Sequence, residues 1–136
     1  MIVLDSSFLV AYHNSRDAHH AAAAEMMADL LAEKWGPLLL PEYVFLEVLT
    51  VLARRGDLKT AAEVGDILLH AREVEFVPCL DLFAAAFAVF KAQGNKNLSF
   101  ADAAIVAIAR GRDAKFVATF DSGFQAVTGL SAVPGG

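Results

Sequence analysis

Short apolar runs rich in branched side chains alternate along this chain with longer stretches of helix-forming residues, and the alternation sets out its architecture. Ile2-Val3-Leu4 is the first run; closed by Asp5-Ser6-Ser7, it reads as a buried strand entering a helix over Phe8 to Tyr12. After the polar turn Asn14 to Asp17, the segment Ala18 to Lys34 is dense in Ala, Glu, Met and Leu, which predicts a helix ending before Gly36-Pro37. Leu38 to Leu40 forms a second strand, and Pro41 suits the first turn of a helix that runs to Arg55 and stops at Gly56. Asp57 is placed to cap a helix reaching Arg72, followed by a strand at Val74 to Val77, a helix over Asp81 to Gln93 and a polar break at Gly94 to Asn97. The pattern ends with a helix over Phe100 to Arg110, a strand at Lys115 to Thr119, a short helix after Asp121 and a last strand near Leu130 to Val133. Strands alternating with helices predict an α/β fold: a central parallel sheet of four to five short strands flanked by helices.

Composition narrows the class. The 136 residues are 57% hydrophobic with a mean hydropathy of +0.49, which suits a single domain over residues 1–136 and excludes disorder. Leu82 to Phe90 and the other apolar stretches fall short of the roughly 18 uncharged residues that a membrane span needs. Met1 to Asp5 shows no basic region ahead of its apolar run, so no secretory signal is expected and the cytoplasm is the expected compartment. The single cysteine, Cys79, agrees, since a disulfide needs two; it reads as a small buried apolar side chain. A formal charge of −5 rules out a global basic field for sequence-blind nucleic-acid binding, but not nucleic acid as a substrate met by bound cations and a few arginines.

Four acids do not fit an ordinary surface. Asp5 and Asp121 follow strands, at the ends where open parallel sheets gather their chemistry. Glu47 and Asp102 lie within helical segments that are otherwise almost wholly apolar. Each also has a structural explanation: Asp5 and Asp121 as helix caps, Asp102 as partner of Ser99 in a capping box, and Glu47 as part of a solvated stripe with Thr50 and Arg54. If the four converge, like charges about 4 Å apart repel by roughly 4 kcal/mol at an effective dielectric near 20, a cost that a divalent cation would offset. Oxygen donors without cysteine or clustered histidine favour Mg²⁺ or Mn²⁺, and the matching reaction class is phosphodiester hydrolysis.

In this order, the four positions resemble a PIN-domain nuclease, most like the VapC-type toxins of prokaryotic toxin–antitoxin pairs. Ile2-Val-Leu-Asp5 resembles the family's opening strand and first acid, Arg16-Asp17-Ala-His19-His20 the start of its second helix, and Leu40-Pro41 through Glu47-Val-Leu49 the helix carrying the second acid. Leu98-Ser-Phe-Ala-Asp102-Ala-Ala matches the third acid in its setting, and Thr119-Phe-Asp121-Ser-Gly-Phe124 the closing acid. The resemblance covers Met1 to about Val133. It implies a three-layer PIN-like fold and an Mg²⁺- or Mn²⁺-dependent endoribonuclease acting on structured RNA such as tRNA or rRNA. A homodimer and a VapB-type antitoxin are implied as well. Carried onto this chain, Asp5, Glu47, Asp102 and Asp121 are the metal-binding and catalytic acids. Ser6, Ser7 and Thr119 are expected to bond to those acids or their waters.

Other features carry less. His19 and His20 are adjacent and so face different ways on a helix, which assigns them to the helix start and packing. Arg54, Arg55, Arg110 and Arg112 close two helices and complement their dipoles, with RNA phosphates as the lesser reading. Trp35 and the phenylalanines read as core or interface. A receiver-like signalling domain would want paired acids after the first strand and a lysine ending a late one, which this chain lacks. A stand-alone RNA-processing nuclease and a PIN fold that binds without turnover remain the alternatives.

Overall fold

The first strand is the centre of the molecule. In the computed structural model, which describes residues 1–135, β1 (Ile2–Leu4) has no exposed side chain and pairs with β2 (Leu38–Pro41) on one side and β4 (Phe116–Ala118) on the other. With β3 (Val74–Val77) and β5 (Ser131–Val133) at the edges, the order is β3-β2-β1-β4-β5, and every pairing is parallel. A parallel sheet needs both faces covered, which is why the inner strands read as continuous apolar runs.

Six α-helices supply the cover: α1 (Ser6–His13), α2 (His20–Leu31), α3 (Glu42–Arg55), α4 (Leu58–His70), α5 (Cys79–Ala92) and α6 (Phe100–Arg112), with a 3₁₀ helix over Ser122–Ala126. Contacts group α1 with α2 and α3, and α3 with α4, while α5 packs against α6. The right-handed rule for parallel crossovers places the first group on one face and α5 with α6 on the other, because the chain steps outward through β2 and β3 and then returns across the sheet to β4. The expected α/β architecture with a parallel sheet between helical layers is what forms, with five strands. That return makes a switch point between β1 and β4, and the crevice of an open α/β sheet opens at the carboxyl ends of such strands.

Several boundaries differ from the sequence reading, for identifiable reasons. α2 starts at His20 and stops at Leu31 rather than Lys34, because Glu33 takes a left-handed conformation (φ 61°) and the Lys34 N–H turns back to the Asp29 carbonyl at 3.1 Å. Pro41 does not open α3; it ends β2, opposite Val77, and sits extended at the N-cap position. α5 begins at Cys79 rather than Asp81, since Glu42 reaches over to accept the Cys79 N–H at 2.8 Å. Cys79 is therefore half-buried at a helix start and is not a core side chain. Gly36 (φ +79°) is fixed by space, because a Cβ there would stand 2.9 Å from the Met1 nitrogen.

Candidate active site

Asp5 occupies the N-cap position of α1 but makes no side-chain capping hydrogen bond there. Its Oδ2 accepts from the Thr119 hydroxyl at 2.6 Å and from the Ser7 hydroxyl at 2.8 Å. Both hydroxyls are themselves held by backbone, with the Phe120 N–H donating to Ser7 Oγ and the Asp121 N–H to Thr119 Oγ1, each at 2.9 Å. The register makes this possible. Leu4 lies opposite Ala118, and the Asp5 N–H bonds the Ala118 carbonyl at 3.0 Å, so the residues just past the two strands meet. With 3% of its surface exposed, Asp5 is pushed above the usual carboxylate range by burial, partly offset by Thr119, Ser7 and the Ser6 backbone, and raised further by the charge of Glu47.

The other three acids reach the same place from different elements. Glu47 projects from α3 and Asp102 from the first turn of α6, while Asp121 follows β4; together with Asp5 they line one cleft of about 420 Å³. Asp102 is half-buried and its carboxyl is raised by desolvation and by the charges of Asp5 and Asp121, against the lowering effect of its bonds to Ser99. The capping box is present too: the Ser99 hydroxyl accepts the Asp102 N–H at 3.0 Å and Asp102 Oδ2 accepts the Ser99 N–H at 3.1 Å. Asp121 likewise caps the 3₁₀ helix by accepting the Gly123 N–H at 2.8 Å. For these two acids, capping and cleft-lining are the same geometry, because each cap hydrogen bond holds the carboxylate at the rim.

The donor set is all oxygen, and the carboxyls of Asp5 and Asp102 are raised in part by neighbouring acids, which is the electrostatic condition that favours a divalent cation. They surround the cleft without closing on one point: among the described residues no three His, Cys, Asp or Glu side chains are gathered tightly enough to form a ready cage. A cation here would be gripped by few side chains directly and by others through water.

A family model described as PIN domain matches residues 2–130. The chain belongs to the PIN-domain family. No curated protein matches its sequence, but solved structures match its fold. One is the toxin VapC20 of Mycobacterium tuberculosis, described as cleaving the Sarcin-Ricin loop; it superposes with a TM-score of 0.82 and 28% identity over 94% of this chain and 95% of that one. Another is VapBC2 from Rickettsia felis, solved with a DNA fragment from its promoter, at a TM-score of 0.64 and 17% identity over 97% of each chain, a likeness of fold alone.

In this PIN domain, Asp5, Glu47, Asp102 and Asp121 all face the one cleft, and so do Ser6 and Ser7. Ser7 and Thr119 bond Asp5 through their hydroxyls, whereas Ser6 contributes its backbone. Glu47 stands exposed on α3 rather than embedded in apolar surroundings. The adjacent histidines part company at the start of α2, where His19 is the N-cap residue and His20 the first of the helix. His20 Nδ1 pairs with the Ala11 carbonyl at 2.8 Å, while His19 stacks on Phe120 with ring centres 4.4 Å apart and lines the cleft. Asp17 and Phe120 also line it, without having stood out in the sequence as site residues, and so does Arg55, for which an RNA phosphate was the lesser reading. For Arg55 the available signal was its place two helical turns after Glu47, roughly on the same face.

Proposed function

We propose that this PIN domain is a divalent-cation-dependent endoribonuclease and the toxin of a VapBC-type pair. The observation that carries the reading is the convergence of four acids, from four separate stretches of chain, on one cleft at the sheet's switch point. Asp5 and Asp102 would hold Mg²⁺ or Mn²⁺ directly, with Glu47 and Asp121 acting directly or through water. When bound, such an ion polarises the scissile phosphate and lowers the pKa of water beside it. The chain's own part is positional. Ser7 and Thr119 hold Asp5 Oδ2 in place, the capping box fixes Asp102, and exposed Glu47 is the carboxylate free to accept a proton from the attacking water. Water adds at phosphorus and the P–O3′ bond breaks, leaving a 5′-phosphate and a 3′-hydroxyl.

The test is incubation of total cellular RNA with Mg²⁺, Mn²⁺ or EDTA, wild type beside Asp102→Asn. Discrete fragments produced by wild type only, and only with a divalent ion, are expected. Equal cleavage by Asp102→Asn would sink the assignment of the site. Because the relative VapC20 is described as cleaving the Sarcin-Ricin loop, that loop is the first defined RNA to try, with tRNA second.

The partners in this reading are a VapB-type antitoxin and a second copy of the chain. A surface for the second copy is offered by α5, where Leu80, Phe83, Phe87 and Phe90 form one exposed stripe at 3-4-3 spacing. Asp81 flanks its start and Lys91 its end, so antiparallel self-pairing brings opposite charges together. Sedimentation of wild type as a dimer and of Phe83→Asp as a monomer is expected; a dimer in both would move the interface elsewhere.

A further inference from the structure

The acidic cleft shares a wall with a second cavity. Arg55, the last residue of α3, lines both; the neighbouring space, about 410 Å³, is bordered also by Arg16, His13, Asn14 and Asp57. The two compartments differ in charge. Five acids face the first, Asp17 together with the four already described, whereas Arg16 and Arg55 bring two guanidinium groups to the second. Among the described residues neither guanidinium takes part in an ion pair, whereas Arg112 is engaged by Glu75. Asp57, the acid of the second cavity, has its oxygens occupied: Oδ1 accepts the Thr60 N–H at 2.7 Å and Oδ2 the Thr60 hydroxyl at 3.1 Å.

Complementing the α3 dipole does not account for this placement. Arg54 holds the same station in the last turn and lines neither cavity. A chain with net charge −5 and an acid-lined cleft repels a polyanion, so a strand that enters must be met by local positive charge beside the acids. The planar, always-charged fork of arginine suits a phosphate, and phosphate contacts set the register of a strand.

We propose that Arg55 and Arg16 seat a backbone phosphate of the RNA strand next to the one presented to the acids, and so fix which bond lies in the cleft. This rests on the nuclease reading above. The experiment is binding of a fluorescein-labelled mixed-sequence oligoribonucleotide in EDTA, followed by anisotropy across a salt series. Wild type, Arg16→Gln/Arg55→Gln, Asp102→Asn and the remote Arg110→Gln are compared, with melting curves to show that all are folded. The double variant is expected to bind about tenfold more weakly. Its plot of log affinity against log salt should be shallower by about 0.7, the value for one phosphate neutralised on a single strand. Arg110→Gln should keep the wild-type slope, and Asp102→Asn, which removes one repelling charge from the cleft, should bind no more weakly than wild type. An unchanged slope in the double variant, or no RNA binding by wild type, overturns the phosphate seat. If wild type cleaves RNA with Mg²⁺ while the double variant keeps its slope, the seat falls and the nuclease stands. If the slope changes but nothing is cleaved with any cation, the seat stands and the nuclease falls.

Discussion

Asp5 and Asp57 occupy the same kind of place, the residue before a helix, and the protein uses them in opposite ways. Asp57 caps α4: its carboxylate takes the N–H and hydroxyl of Thr60, and those bonds hold it below the ordinary value of 3.8. Asp5 leaves α1 uncapped, turns to Ser7 and Thr119, and is raised above that value by burial. A cap stabilises the helix that carries it, whereas a buried carboxylate facing other carboxylates is a local cost retained for what it can bind. The comparison teaches that an aspartate at a helix start is diagnosed by where its oxygens go.

The strongest way to break this contrast is through activity. Asp5→Asn is expected to lower RNA cleavage on the order of a thousandfold, measured as single-turnover rate in Mg²⁺, while Asp57→Ala leaves it within about twofold. Removing the support for Asp5 should cost less: Thr119→Val is expected to reduce cleavage or cation affinity about 10- to 100-fold. Stability should run the other way. By thermal melting without divalent ions, Asp57→Ala should fall by about 3–5 °C through loss of its cap. Asp5→Asn should melt no lower than wild type, because it removes a buried charge.

The smallest effect sharpens the sign. Asp5 and Asp102 have raised values in the folded state, so as pH falls from neutrality through those values the folded chain takes up protons that the unfolded chain would not hold, and stability rises. The lowered value of Asp57 contributes stability that is complete above 3.8 and is lost as pH falls through its folded value. A cation-free melting profile should therefore climb gently on mild acidification before it drops, and Asp5→Asn/Asp102→Asn should flatten the climb.

Much of this was legible in the chain. The branched apolar runs gave the strands because inner parallel strands are buried on both faces, and the four acids stood out as carboxylates with too little polar company. What escaped was whatever depends on distant partners. The start of α5 is decided by Glu42, 37 residues away, and the end of α2 by a left-handed Glu33 that propensity does not favour. Taken singly, Asp5 could be read as a cap, and its bond to Thr119, expected only through the family resemblance, is brought in by strand register. Arg55 read as a helix-dipole residue until the fold set a cavity on either side of it.

The bond from Thr119 to Asp5 joins residues 114 positions apart, and the sheet order makes that pairing wait for the return crossover to β4. Every earlier stage of a chain growing from its N-terminus holds an acid set that is incomplete. During synthesis, a ribosome carries a fragment without a complete cleft until Asp121 has emerged and β4 has found β1. On the nuclease reading proposed above, a chain interrupted before that residue would be harmless to the machinery that made it.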